Sequence, residues 1–240
     1  MRLTTEGLVL KSTECGEADL IVGYATPDRG LIEAFAKSPR KIKSRFGSSL
    51  EPLTHARIAV IGKEGATLPR LVQSDIIYSF SAVRDDFSLL MSAARIVELF
   101  RRFVLAGEAR PRKFGLLLAT LHALETSRRV ALLSLAFTVK ILWMSGYAPR
   151  LDTCGRCYEG IDENVPRVFF PADGTVVCPR CGGDGYAGRV VDGETAAFIR
   201  GLRDKRLAEL IEESDDQRIL ESAENLLDAH LGNIPVSAGG

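Results

Sequence analysis

The chain has 240 residues, 46% of them hydrophobic and 26% charged, with a formal net charge of zero; that is enough apolar material for one large domain or for two to three small ones around separate cores. Its longest apolar run, residues 130–144, is too short to span a bilayer and is interrupted by Lys140, and the opening Met1-Arg2-Leu3-Thr4-Thr5-Glu6-Gly7 has no basic stretch leading into an apolar one, which argues against membrane and secreted classes and for the cytoplasm. The neutral total hides an asymmetry: residues 1–150 carry 22 Lys and Arg against 14 Asp and Glu, while residues 151–240 carry 9 against 17.

Residues 1–80 read as β-structure. Segments 8–12, 20–26, 30–36, 56–62 and 68–76 are short and rich in β-formers or alternating in apolarity. Turn chemistry separates them. In Thr26-Pro27-Asp28-Arg29-Gly30 the proline presets φ and the glycine accepts positive φ, and Gly62-Lys63-Glu64-Gly65 is a second such connection. Five short strands joined mostly by hairpins suit a small closed barrel, for which the five-stranded OB-fold is the ready candidate; an SH3-like barrel fits the same periodicity.

Between the third and fourth strands lies Lys37-Ser38-Pro39-Arg40-Lys41-Ile42-Lys43-Ser44-Arg45-Phe46, with five cations and no anion among its first nine residues. Charge runs often do no more than solvate a face. Here hydroxyls and one aromatic, Phe46, are interleaved with the cations, a mix suited to phosphates and bases, and the loops of a small barrel are a common platform for single strands. Lys37, Arg40, Lys41, Lys43 and Arg45 thus read as a nucleic-acid-binding loop with Phe46 as its base-stacking group, and the family resemblance described below implies that the five cations bind DNA.

From about residue 82 the period becomes helical. One long amphipathic helix runs from Phe87 toward Gly107, a second opens at Pro111 and continues to Ser127, and a third, residues 130–144, is apolar nearly all round and suits the middle of a helical bundle. Arg101, Arg102, Arg110, Arg112, Lys113, Arg128 and Arg129 either extend the basic track or solubilise outer helix faces. After the cysteine-bearing segment, residues 193–203, a short piece around Leu207, Leu210 and Ile211, and residues 216–231 return to helical spacing.

The most specific motif is Cys154-Gly155-Arg156-Cys157, a twenty-residue gap, then Cys178-Pro179-Arg180-Cys181. Two residues between thiolates let each pair form a knuckle with both sulfurs on one side, and two knuckles complete a tetrahedron around one zinc ion; an iron–sulfur cluster is the minor alternative. The intervening Val168-Phe169-Phe170-Pro171-Ala172-Asp173-Gly174-Thr175-Val176-Val177 reads as the hairpin of a zinc ribbon. Four thiolates close the shell, so such a zinc is structural. A deaminase site fails because Val177, not a proline, precedes Cys178. His55, His122 and His230 fall in three separate segments, and no phosphate-binding loop, nucleophile elbow or dinucleotide fingerprint is present. The sequence thus offers no catalytic residue and does not read as an enzyme. A zinc-ribbon factor of transcription or translation is the alternative class, disfavoured by the acidic residues around the cysteines.

Glu6-Gly7-Leu8-Val9-Leu10-Lys11, Gly16-Glu17-Ala18-Asp19, Pro27-Asp28-Arg29-Gly30-Leu31, Lys37-Ser38-Pro39-Arg40, Trp143-Met144-Ser145-Gly146-Tyr147-Ala148-Pro149 and the four cysteines, in that order, resemble the bacterial RecO family of recombination mediators over nearly the whole chain. The resemblance implies an α+β multidomain chain: an OB-fold over residues 1–80, a helical domain over 81–150, a four-cysteine zinc module over 151–190, and C-terminal helices over 191–240 packing on the helical domain. It implies binding of single- and double-stranded DNA, strand annealing, and, with RecR, help in loading RecA onto DNA covered by single-strand-binding protein. It also implies work on the nucleoid in the cytoplasm.

Overall fold

The computed structural model describes residues 2–39, 46–63, 67–127, 129–162, 165–182, 188–212 and 216–235. The chain divides into two compact units, one ending at Thr126 and the other beginning at Ser127.

In the first unit, β1 (Arg2–Cys15), β2 (Asp19–Thr26), β3 (Gly30–Ala36), β4 (Thr54–Ile61) and β5 (Arg70–Ser79) close into a barrel in the order β1-β2-β3-β5-β4. This is the OB-fold. Strand β1 is longer than its apolar centre predicts because it serves two neighbours: Arg2 to Leu8 pair with β4, and Leu8 to Cys15 pair with β2 across a bulge between Val9 and Lys11. Its Thr4 and Thr13 face solvent, and threonine is a good strand former that hides the element from an apolar count. Val9, Val22, Tyr24, Ile58 and Leu71 fill the barrel.

One expectation is overturned here. Phe46, assigned above as a base-stacking group on the basic loop, is only 4% exposed and belongs to the barrel core. It opens a short 3-10 turn, Gly47–Leu50, whose Leu50 is buried with it. The physical reason is that an aromatic next to a barrel mouth gains more from burial than from solvent exposure.

The turn between β2 and β3 is welded to the connection between two helices of the same unit. Gly107 N–H donates to Arg29 O at 2.9 Å, Arg110 N–H to Pro27 O at 2.9 Å and Leu31 N–H to Leu105 O at 3.4 Å. Gly30, at φ 62°, sits so close that a Cβ would lie 2.1 Å from Leu105 O. The helices flanking that connection are α2 (Phe87–Phe103) and α3 (Pro111–Thr126), preceded by a short α1 (Ser81–Asp85). The break between α1 and α2 comes from Asp86, whose carboxylate accepts from Ser88 N–H at 2.8 Å and Leu89 N–H at 3.1 Å and so caps a new helix.

In the second unit α4 (Val130–Met144) packs with α5 (Gly193–Asp204), α6 (Leu207–Glu212) and α7 (Gln217–Asn233). The one lysine of α4 is accommodated by capping: Lys140 Nζ donates to Arg203 O at 2.9 Å and Lys205 O at 2.5 Å, at the C-terminal end of α5. Between α4 and α5, β6 (Arg150–Cys154), β7 (Arg167–Phe170), β8 (Thr175–Val177) and β9 (Arg189–Val191) form a sheet in the order β6-β8-β7-β9. The predicted hairpin is β7–β8. No helix among the described residues is long and apolar enough to cross a membrane.

Candidate metal centre and nucleic-acid interface

The sheet brings the two cysteine pairs together. Cys154 ends β6, Cys178 follows β8, and β6 runs parallel beside β8, so both knuckles leave the same edge. Each knuckle closes on itself: Tyr158 N–H donates to Cys154 O and Cys154 N–H to Glu159 O, both at 2.9 Å, while Cys181 and Gly182 N–H donate to Cys178 O at 3.0 and 2.9 Å. Gly155 lets the first knuckle approach β8, because a Cβ there would meet Thr175 Oγ1 at 2.7 Å. The arginines inside the knuckles then clasp across the centre. Arg156 Nη1 donates to Cys181 O at 2.8 Å, and Arg180 pairs with the Glu159 carboxylate.

All four sulfurs lie within 4.8 Å of one another, and Cys157 and Cys178 Sγ are 3.9 Å apart. A tetrahedral zinc with bonds of about 2.3 Å requires sulfur–sulfur edges of about 3.8 Å. The donor set therefore suits a metal ion, with the longer sulfur–sulfur distances closing by up to about 1 Å. Cys154 is fully buried, and burial alone raises a thiol, yet backbone N–H groups around it outweigh that and hold it down to about 6. Two of these donors are seen as Arg156 N–H at 3.5 Å and Cys178 N–H at 3.4 Å from its sulfur. Hydrogen bonds that the Cys181 thiol donates to Cys178 and Cys157 favour its protonated form and push it up to about 12. Binding a dication requires the thiols to give up their protons. With four protein ligands no position is left for a reacting water.

Two residues behind this centre have partners that the sequence reading did not place. Arg167, on β7, is 1% exposed and donates to backbone carbonyls, Leu151 at 2.8 Å, Asp162 at 2.9 Å and Val165 at 3.1 and 3.2 Å. It thereby ties the segment after the first knuckle to β6. Its signal was present: Arg167 shares the inward face of β7 with buried Phe169, and a cation at a core position requires acceptors. His230 of α7 is 6% exposed, with Nδ1 2.9 Å from Pro171 O and Nε2 2.8 Å from Tyr147 O. It joins the helix to the chain just before β6 and to the β7–β8 turn.

The residues expected to bind nucleic acid fall only in part among the described residues. Lys37 follows the end of β3, and the next residue, Ser38, takes a left-handed φ of 55° while its N–H donates to Asp19 Oδ1 at 2.6 Å. Asp19 at the start of β2 thus fixes where the basic segment departs from the barrel. Arg40, Lys41, Lys43 and Arg45 lie outside the described residues, as does Arg128. Two cations proposed to extend the track do other work: Lys113, 6% exposed, donates to Phe103 O at 2.8 Å and caps α2, and Arg129 donates to Leu210 and Ile211 O at 2.9 and 2.8 Å.

Two family models match this chain, one described as Recombination protein O N terminal over residues 1–80 and one described as Recombination protein O C terminal over residues 84–236. A protein named DNA repair protein RecO from Thermodesulfovibrio yellowstonii is 41% identical over 181 residues, covering 75% of this chain and 70% of its own. Proteins of the same name from Dehalococcoides mccartyi strain CBDB1 and Myxococcus xanthus are 30% identical over 227 residues (95% and 88% of the two chains) and 37% identical over 202 residues (84% and 80%).

Proposed function

Because this chain belongs to the RecO family of DNA repair proteins, we propose that it is a recombination mediator that binds single- and double-stranded DNA and anneals complementary strands. With RecR it helps RecA onto single-stranded DNA covered by single-strand-binding protein, working on the nucleoid in the cytoplasm. It carries out no covalent chemistry. The observation that carries this reading is the OB-fold barrel with Lys37 leaving β3 at a point held by Asp19, the start of a segment with five cations and no anion. The mechanism is charge neutralisation: cations that hold two phosphate backbones near each other screen the repulsion that opposes pairing.

The metal is one structural zinc per chain, held by Cys154, Cys157, Cys178 and Cys181. A thiolate shell among buried strands supports the fold of the second unit, and DNA contact falls to Lys37, Arg40, Lys41, Lys43 and Arg45. If all five met phosphates of a single strand, the slope of log affinity against log salt would be about −3.5. Replacing Lys37, Arg40, Lys41 and Lys43 by Glu is expected to abolish most of that slope and to slow annealing at fixed salt. Unchanged affinity and annealing would remove the segment from the account. Running the same salt series with and without RecR tests the partnership, which is expected to change annealing on DNA covered by single-strand-binding protein.

A further inference from the structure

The burial of Phe46 leaves the basic segment without its aromatic, and the outside of the barrel supplies another. Val22, Ala34 and Ala36 lie in the barrel core, so strand alternation turns Ile21 and Gly23 of β2 and Glu33 and Phe35 of β3 to the outer face. The ladders arrange them in rows. Thr13 stands opposite Ile21, Ile21 opposite Phe35, and Phe35 is bridged to Arg70 of β5; in the next row Lys11, Gly23 and Glu33 stand side by side. Ile21 and Phe35 are partly exposed, and Arg70 is exposed. Lys37, the first cation of the basic segment, comes two residues after Phe35.

The second row holds a cation under restraint. Lys11 Nζ lies 3.3 Å from Glu33 Oε1, with the side chains 47% and 50% exposed. To reach Glu33 the lysine stem crosses Gly23, where a Cβ would come within 3.3 Å of Lys11 Cγ. The absence of a side chain at Gly23 is what lets the pair form flat against the sheet. An exposed pair of this kind is held weakly and is screened by salt. A phosphodiester arriving on the face can therefore take the ammonium from the carboxylate.

We propose that the outer face of β1–β3 is a single-strand track on which Phe35 stacks a base and Lys11, released from Glu33, takes a phosphate. This rests on the DNA-binding reading above and names residues outside the basic segment. Phe35 favours single strands because the bases of a duplex are already stacked on one another and offer it no free face. Glu33 acts as a standing competitor that limits how tightly the strand is held. Its loss frees Lys11 for a phosphate, and its own negative charge no longer repels the backbone.

The test uses the full chain, a labelled oligothymidine and a duplex of equal length, with affinity measured across a potassium chloride series. Phe35→Leu is expected to weaken oligothymidine binding about tenfold while leaving the salt slope and duplex affinity unchanged, and Phe35→Trp to restore binding. Glu33→Gln is expected to tighten binding several-fold with the slope kept, since Lys11 meets a phosphate in both chains, and Lys11→Gln to flatten the slope by about 0.7, one phosphate contact. In a Lys11→Gln background the gain from Glu33→Gln should shrink. Equal loss on oligothymidine and duplex in Phe35→Leu, failure of Phe35→Trp to restore, an unaltered slope in Lys11→Gln, or a gain from Glu33→Gln undiminished by Lys11→Gln would overturn the proposal. If wild-type chain binds neither probe, the DNA-binding reading falls and takes this one with it. If wild type binds and only the segment variant weakens it, this proposal alone falls.

Discussion

Substituting Gly30 with alanine separates two costs that glycine avoids at the junction of barrel and helices. The first is conformational: at φ 62° an alanine is disfavoured by about 1 kcal/mol. The second is contact. The new Cβ would lie 2.1 Å from Leu105 O and 2.8 Å from Glu108 O, both backbone atoms with no rotamer to yield. The turn and the α2–α3 connection must then part, weakening the bonds from Gly107, Arg110 and Leu31 N–H that join them. At about 1 kcal/mol net per hydrogen bond, the total reaches roughly 3–4 kcal/mol. A control lies in the same connection: Gly107 has φ 81° but nothing within 4 Å of its Cβ position, so Gly107→Ala carries only the conformational cost. For a unit of this size the larger loss lowers the melting temperature by roughly 10–15 °C, against about 4 °C for the control. Thermal unfolding followed by circular dichroism reads both. Equal shifts for the two variants would refute the claim that close backbone approach, rather than φ alone, requires glycine at position 30.

The other expectations concern the metal, the buried arginine and a buried histidine. Chelation of the purified chain should release one zinc, and Cys178→Ala should abolish zinc content and lower the melting temperature of the second unit while oligonucleotide affinity is kept; preserved stability with lost affinity would contradict a structural metal. Arg167→Leu leaves the carbonyls of Leu151, Asp162 and Val165 without their donor, a loss of about 3 kcal/mol, visible as proteolytic cleavage within residues 155–166 under native conditions; resistance equal to wild type would count against its role. Burial first, opposed by Glu6 3.4 Å away, lowers His55 from its ordinary value. A histidine lowered in the folded state binds its proton more readily when unfolded, so stability is expected to fall as pH drops below about 6.5. Urea midpoints at pH 7.5 and 5 should differ less in His55→Gln than in wild type, and an identical difference would exclude this group as a cause.

Which parts were legible in sequence follows from what each residue needed nearby. The four cysteines could be read because their chemistry is local: each pair makes its own knuckle, and only the meeting of two knuckles is a matter of fold. The barrel could be read because five short segments with turn residues between them constrain closure strongly. Phe46 could not, since its five cationic neighbours describe a solvated loop and say nothing of the barrel mouth beside it. Arg167, Lys113 and Lys140 share the same difficulty in reverse. Each is written as a surface charge, and each is placed against backbone carbonyls that only the folded chain assembles.

That pattern bears on how cations in this chain should be assigned. A cation whose donors are filled by carbonyls at a helix end or in a strand core is part of the fold, and its removal costs stability before it costs affinity. Lys11 differs because its described partner is a carboxylate on an exposed face, which another anion can replace. Lys37 differs because the backbone just after it is fixed by Asp19, through a bond that does not occupy the ammonium. The distinction gives each class its own signature: Lys113→Gln should shift unfolding and leave the salt dependence of DNA binding alone, and Lys37→Gln should do the opposite. A Lys113 variant that changed the salt slope without changing stability would show that burial and capping are the wrong criteria for sorting these charges.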